Sequence, residues 1–137
     1  MAKASKVNHL IVETPDKVGM MAKVCSAISD AGVNIKAISA SARARKGHFM
    51  LLTEDNSKAK EALKSAGFKV KEEEAVAVEL ENEVGAAKRM AKKLADAKVN
   101  LRYCYGSTGN GTMALLVFNS NDNEKAVRVL GVVGVGE

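Results

Sequence analysis

The sequence predicts an α+β protein of two tandem ferredoxin-like β-α-β-β-α-β units, antiparallel sheets with helices on one face, and three observations carry that prediction. The stretch Thr14 to Ile38 returns 66 positions later: with Val18 set on Val84, Gly19 falls on Gly85, Asp30 on Asp96, Ala31 on Ala97, Val33 on Val99, Asn34 on Asn100 and Ile35 on Leu101. A self-similar period in a chain of 137 residues means two copies of one supersecondary unit. Within each copy, short apolar runs bounded by turn residues alternate with apolar residues at helical spacing, in the split βαβ order. The units are expected over residues 1–74 and 75–137. Each is close to the lower size limit for an adequate core, so the halves are expected to pack on each other or through a second chain.

Val7 to Glu13 (VNHLIVE) is apolar at nearly every position and reads as a central strand, closed by the turn and helix-start signature Thr14-Pro15-Asp16. Asp16 is a good N-cap residue, and Met20, Val24, Ile28 and Ala31 follow on one helical face. The second copy places Ala86, Met90, Leu94 and Ala97 there, with Asn82 as the cap. Gly32 suits the end of the first helix; Lys98 replaces it in the second. Asn34 to Arg43 reads as a strand that turns at Arg45-Lys46-Gly47 and pairs back through His48 to Thr53. Its counterpart runs from Leu101 to Gly106, turns at Gly109-Asn110-Gly111 and returns through Thr112 to Asn119.

Ser57 to Ala66 is the second helix, capped by Asn56 or Ser57 and stopped by Gly67, and Phe68 to Glu74 is a fourth strand. Val76 to Leu80 opens the second half almost without a linker. The last helix, near Asn123 to Leu130, aligns with the earlier one through Gly131 on Gly67, which leaves Val132 to Glu137 for a short final strand.

Composition bounds the function. Apolar residues make up 47% and aromatic residues 4%, with no Trp, so stacking platforms are scarce. No apolar run approaches the ~20 residues that span a bilayer, and the first residues lack the layout of a signal peptide; a cytoplasmic protein with no membrane partner is expected. Cys25 and Cys104 lie in different halves without a CxxC pattern and are expected as reduced, buried, small apolar side chains.

The formal charge of +5 comes from lysines interspersed with acids, which describes solvated helix faces better than a nucleic-acid stripe. His9 and His48 are the only histidines and have no metal-ligand spacing, so neither a metal, a cofactor nor an enzyme is expected. RNA binding is the alternative, since Lys46-Gly47-His48-Phe49 begins like the third-strand motif of RNA-recognition modules. Those modules stack bases on aromatic rings of both central strands, whereas Met50, Leu51 and Leu52 follow here and the first strand offers only His9. A pure protein-interaction module is the other alternative.

Gly19 and Gly85 stand in the first turn of their expected helices, at a cost of about 1 kcal/mol relative to Ala. Close approach of a ligand or of the second strand's backbone would each account for them. A helix N-terminus can hold a carboxylate on free N–H groups, although an Asp16 cap would compete for one of them. Pro15-Asp16-Lys17 becomes Glu81-Asn82-Glu83 in the second copy, a net charge of minus two, so the first turn is expected to be the better anion site.

Two such units, each with glycine at the start of the first helix and Asn opening the second strand, resemble the ACT domain family. Thr14-Pro15-Asp16-Lys17-Val18-Gly19 is similar to that family's characteristic turn, and Asp30 to Ser39 (DAGVNIKAIS) to its helix exit and second strand. The resemblance covers nearly the whole chain in two copies. It implies a regulatory or sensor protein without its own catalytic domain, binding a small molecule, most often an amino acid, where one unit's first turn meets a neighbour's second strand. Carried over by position, it points to Asp16, Lys17, Val18, Gly19 and Met20 on the turn and to Asn34, Ile35 and Lys36 on the strand. The second copy contributes Asn82, Gly85, Asn100 and Leu101. It further implies a homodimer and a separate regulated enzyme.

Overall fold

A computed structural model describes residues 2–108 and 111–131. In chain order its elements are β1 (Ala2–Pro15), α1 (Met20–Asp30), β2 (Ile35–Arg43), β3 (Lys46–Thr53), α2 (Asn56–Ser65), β4 (Lys69–Glu81), α3 (Ala86–Asp96), β5 (Leu101–Thr108), β6 (Met113–Ser120) and α4 (Asn123–Leu130). They form two units of ferredoxin-like strand order. One is Asn8–Glu73; the other combines Glu74–Glu137 with Met1–Val7.

In Asn8–Glu73 the strand order is β2-β3-β1-β4. Antiparallel pairing sets Leu10 opposite Leu51 and Val12 opposite Phe49. Side chains alternate across a strand, so these four share the face covered by the helices. They are buried with Met20, Val24 and Ile28 of α1 and with Ala59 and Leu63 of α2. Each large apolar side chain removed from water contributes about 1.5–3 kcal/mol.

The other unit repeats this plan in the order β1-β4-β6-β5. Val76, Val78, Leu80 and Phe118 pack against Ala86, Met90 and Leu94 of α3 and against Ala126 and Leu130 of α4. Ala4 is buried in the same core, and its N–H donates to the Gly131 carbonyl at 3.1 Å. Among the described residues, Ala2–Val7 thus takes the fourth-strand place in this unit. The expected strand at Val132–Glu137 lies outside the described residues, as do the first two residues of the Gly109-Asn110-Gly111 turn.

Several local expectations need correction. β1 begins at Ala2, not Val7, because Ala4 enters the core of the other unit and its N–H donates to the Gly131 carbonyl, which extends the strand toward the N-terminus. Phe68–Glu74 and Val76–Leu80 were expected as two strands, but Lys69–Glu81 (KVKEEEAVAVELE) is one, since it holds no Gly, Pro or Asn to break it. The β2–β3 turn is tighter than expected: Arg43 pairs with Lys46, and Ala44 and Arg45 form the tip at φ of 52° and 64°. Two-residue hairpins of matching twist demand positive φ at both central positions.

α1 starts after Gly19 and α3 after Gly85, so neither Asp16 nor Asn82 is the cap; the glycines hold φ of 91° and 88° and no side chain caps either helix. α2 is capped by Asp55, whose Oδ1 accepts from the Lys58 N–H at 3.1 Å. Asn56 instead turns back, its Oδ1 accepting from the Thr53 N–H at 3.3 Å and hydroxyl at 2.7 Å.

Asp122 and Asn123 repeat both roles, toward Lys125 and toward Ser120. The period in this part of the chain is therefore 67, and Gly131 falls on Lys64, not on Gly67. The additional residue lies between Thr108 and Ala114, a pair that matches Ala42 and Gly47.

Lys98 ends α3 as Gly32 ends α1. The Gly32 and Val33 N–H groups donate to Ser29 and Ile28 at 2.9 and 3.2 Å; those of Lys98 and Val99 donate to Ala95 and Leu94 at 3.0 and 2.9 Å. Lys98 does so at a φ of 60°, a conformation that disfavours any residue with a Cβ. The thiols also depart from expectation: Cys25 is half-buried and Cys104 exposed. β5 stands at the end of its strand order, where a neighbour covers only one edge.

Candidate functional site: a cleft at the start of the first helix

Pairing of β1 and β2 with β3 brings Thr14 and Ala42 to the two sides of Gly47, and Ala40 opposite Phe49. These small residues leave room where the core of the Asn8–Glu73 unit runs out. The result is a cleft of about 350 Å³. Thr14, Pro15, Asp16, Lys17 and Gly19 line it from the strand end and the turn, Met20 and Met21 from α1, Ala40, Ser41 and Ala42 from β2, and Gly47 and Phe49 from β3.

Two glycines shape this region for different reasons. At Gly47 a Cβ would lie 2.6 Å from the Thr14 hydroxyl, so only glycine lets β1 and β3 close the inner end of the cleft. The Thr14 hydroxyl donates to the Pro15 carbonyl at 2.9 Å. Gly19 is different: a Cβ there would meet nothing within 4 Å, and its φ of 91° is what selects glycine. Neither explanation offered from the sequence, close approach of a ligand or of the second strand, is needed. Gly19 is the hinge that swings the chain from the turn into α1.

No side chain caps α1 and no acid stands in its first turn. The Met20 N–H donates to the Lys17 carbonyl at 3.4 Å, and the N–H groups of Met21 and Ala22 are left to an acceptor from outside the helix without competition from an Asp16 cap. Asp16 is held by its backbone, whose N–H donates to the Arg45 carbonyl at 3.4 Å. Asp16 and Lys17 are both exposed and supply one charge of each sign. Lys46 is engaged elsewhere, its ammonium 3.0 Å from Glu13, and His48 Nδ1 lies 3.6 Å from the same carboxylate. The hydrogen bond from Lys46 is the main cause that holds the Glu13 carboxyl below the usual carboxylate range. β2 ends the strand order, so its outer edge offers unpaired main-chain groups beside Ala40–Ala42.

The residues singled out from the sequence divide in this structure. Asp16, Lys17, Gly19 and Met20 come together at the cleft. Val18 is fully exposed at the tip of the turn. Ile35 pairs with Thr53, whereas Ala42 pairs with Gly47, so Lys36, Ile35 and Asn34 stand toward the far end of β2, roughly 13–20 Å along the strand from Ala40 at the edge of the cleft. The Asn34 carbonyl accepts from the Glu54 N–H at 3.0 Å.

In the other unit Asn82 binds the turn before β6, its Nδ2 donating to the Gly111 carbonyl at 3.0 Å. Asn100 is tied to Asn121 through both its N–H and its carbonyl, each at 3.0 Å, and Leu101 packs on the core. The start of α3 is covered: Arg89 pairs with Glu83, and its Nη1 would lie 3.1 Å from a Cβ at Gly85. Leu80 replaces Thr14, and at Gly106, the counterpart of Ala40, even a Cβ would collide with Leu116.

Sequence reasoning missed Thr14, Pro15, Met21, Ala40, Ser41, Ala42, Gly47 and Phe49 as lining residues. The run Ala40-Ser41-Ala42 was the available signal, since small side chains on a strand leave a gap unless a neighbour fills it. Among the described residues no group of three or more His, Cys, Asp or Glu is placed to hold a metal ion. No helix among them is long and apolar enough to cross a membrane.

Similar folds occur in solved structures. A Bacteroides thetaiotaomicron protein matches over 93% of this chain and 88% of its own, at TM-score 0.85 and 24% identity. The regulatory subunit of aspartate kinase from Thermus thermophilus, in a ligand-free form, matches over 94% and 93%, at TM-score 0.66 and 17% identity. The corresponding subunit from Thermus flavus gives TM-score 0.64 and 18% identity over 94% of each chain. At these identities the likeness is one of fold. No curated protein matches the sequence. The family model described as an ACT domain pair matches residues 5–133, nearly the whole length, and the chain belongs to that family.

Proposed function

We propose that this protein is a regulatory sensor that binds a small molecule, an amino acid, in the cleft at the start of α1, and that it acts on a separate enzyme. The carrying observation is the contrast between the two helix starts. Neither N-terminus has a side-chain cap, but at α1 an open glycine borders a cleft with one positive and one negative side chain, whereas at α3 the equivalent glycine is covered by Arg89, paired with Glu83. A zwitterion matches the first arrangement, its carboxylate toward the α1 N–H groups and Lys17, its ammonium toward Asp16. The fold shared with regulatory subunits of aspartate kinase supports a regulatory role.

In this reading Asp16, Lys17, Gly19 and Met20 bind the ligand, with Val18 presenting the turn. Asn34, Ile35 and Lys36 are too far along β2 to touch the same molecule, and act from a second copy in a cytoplasmic homodimer. Asn82, Gly85, Asn100 and Leu101 form the weaker, covered counterpart. RNA binding is disfavoured because Phe49 is buried in the helix-facing core and offers no ring to a base.

Thermal-shift measurements against the twenty amino acids test the proposal. A ligand at one hundred times its dissociation constant adds about 2.7 kcal/mol to the native state, which is readily seen. Stabilisation by an amino acid, lost on Asp16→Ala or Lys17→Ala and kept in Glu83→Ala, is expected. Silence across the panel with tight binding of single-stranded RNA would replace the sensor by an RNA-binding module.

A further inference from the structure

We infer that the cleft selects an amino acid with an uncharged, apolar side chain of leucine or methionine type over one with a charged side chain; this rests on the reading of the cleft as the ligand site. Volume does not decide the matter, since about 350 Å³ accommodates any amino acid. Charge and polarity decide it. The walls beyond the turn are Met20, Met21, Ala40, Ala42 and Phe49, with Ser41 adding one neutral hydroxyl and no charge, and Met20 and Phe49 are nearly buried.

The charged groups that line the cleft are Asp16 and Lys17, and a bound zwitterion engages both through its own ammonium and carboxylate. A third charge on the ligand finds no opposite partner on these walls and loses water against methionine, alanine and phenylalanine carbon. The inner end is no better for it. There the Thr14 hydroxyl has already given its proton to the Pro15 carbonyl, and Gly47 presents no side chain. No cation of the β2–β3 hairpin lines the cleft: Lys46 is held by Glu13, and Arg45 meets the turn through its carbonyl, which accepts from the Asp16 N–H. Two methionines on one wall also suit a thioether or branched aliphatic group, since their side chains adapt to irregular apolar surfaces.

The experiment is isothermal titration of the full chain with L-leucine, L-methionine, L-valine, L-lysine and L-aspartate, repeated on Ala40→Leu. Ala40 is an exposed wall residue, so the substitution narrows the cleft without entering the core; Ala42→Leu serves as the second variant should the first unfold. Burial of an aliphatic side chain is expected to favour leucine or methionine over lysine and aspartate by at least about tenfold in Kd, with that advantage lost in Ala40→Leu.

Equal or tighter binding of lysine or aspartate, weakened by Ala40→Leu, overturns the selectivity and leaves the cleft as the ligand site. Binding that neither Ala40→Leu nor Ala42→Leu alters puts the ligand elsewhere and overturns this inference. An absence of binding by every one of these amino acids overturns it together with the sensor reading beneath it.

Discussion

Gly19 offers the sharpest test of the account of the turn, because its role is conformational and does not require a ligand. A Cβ at position 19 meets nothing within 4 Å, so Gly19→Ala introduces no clash, yet it must adopt a φ of 91°. An L-residue held in the left-handed region costs about 1–2 kcal/mol. Against that, alanine narrows the unfolded ensemble and returns about 0.4–1 kcal/mol. The two ranges leave a net loss centred near about 0.8 kcal/mol and at most about 1.6 kcal/mol, or roughly 3 °C in Tm at the centre for a chain of this size.

Gly19→Asn should lose less, because asparagine tolerates the left-handed region, and Gly19→Val more, because β-branching does not. Urea titration followed by circular dichroism, without any added ligand, reads the series directly. An unchanged midpoint in Gly19→Ala, together with a loss of ligand affinity, would refute the reasoning and return the glycine to the role of making room for a bound molecule.

Three further outcomes are expected. Lys98→Gly relieves a residue at a φ of 60° while keeping both capping hydrogen bonds, and should raise stability by about 0.5–1 kcal/mol; Gly32→Lys should lower it by a similar amount, both read from urea midpoints. Asp55→Ala and Asp122→Ala should each cost about 1 kcal/mol, since each removes the side chain that accepts from a first-turn N–H, whereas Asp16→Ala, which caps nothing, should leave unliganded stability nearly unchanged. His9 is fully buried, and burial lowers its pKa despite the opposing pull of Glu73 at 4.0 Å. A depressed folded pKa means that the unfolded chain takes up the proton first. The contribution of His9 is therefore complete above about pH 6.5 and is lost as pH falls through the folded value; His9→Gln should flatten that slope in stability measured between pH 5 and 8.

The repeat, the order of elements and the apolar face of each helix were legible in the sequence because each rests on spacing. Met20, Val24 and Ile28, like Ala86, Met90 and Leu94, point inward wherever the helix begins. The helix starts were misread for a physical reason. Asp16 and Asn82 are good capping residues, but a glycine in the left-handed conformation three positions later turns the chain only there. The capping pair at Asp55-Asn56 was obscured because two polar residues compete for one role, and only geometry shows the second bonding backward to Thr53.

A third of the candidate site, Asp16, Lys17, Gly19 and Met20, could be read from the turn motif. The rest could not, since Ala40, Ala42 and Gly47 carry no chemistry of their own and matter through the volume they leave empty. The change of period from 66 to 67 likewise hides in a turn, where an added residue costs little.

The assignment of Ala2–Val7 to the same unit as Glu74–Glu137 has a consequence for the order of assembly. The segment leaves the ribosome before any of Asn8–Glu73, yet the strand it accompanies, β4, and the Gly131 carbonyl it binds are made later. At about 5–20 residues per second the roughly 74 residues from Val7 to the end of β4 take about 4–15 s, during which Ala2–Val7 has no complete β4 to pair with. Fusions or tags placed on this segment would disturb the completion of the later-made unit more than that of the one that follows it directly in sequence.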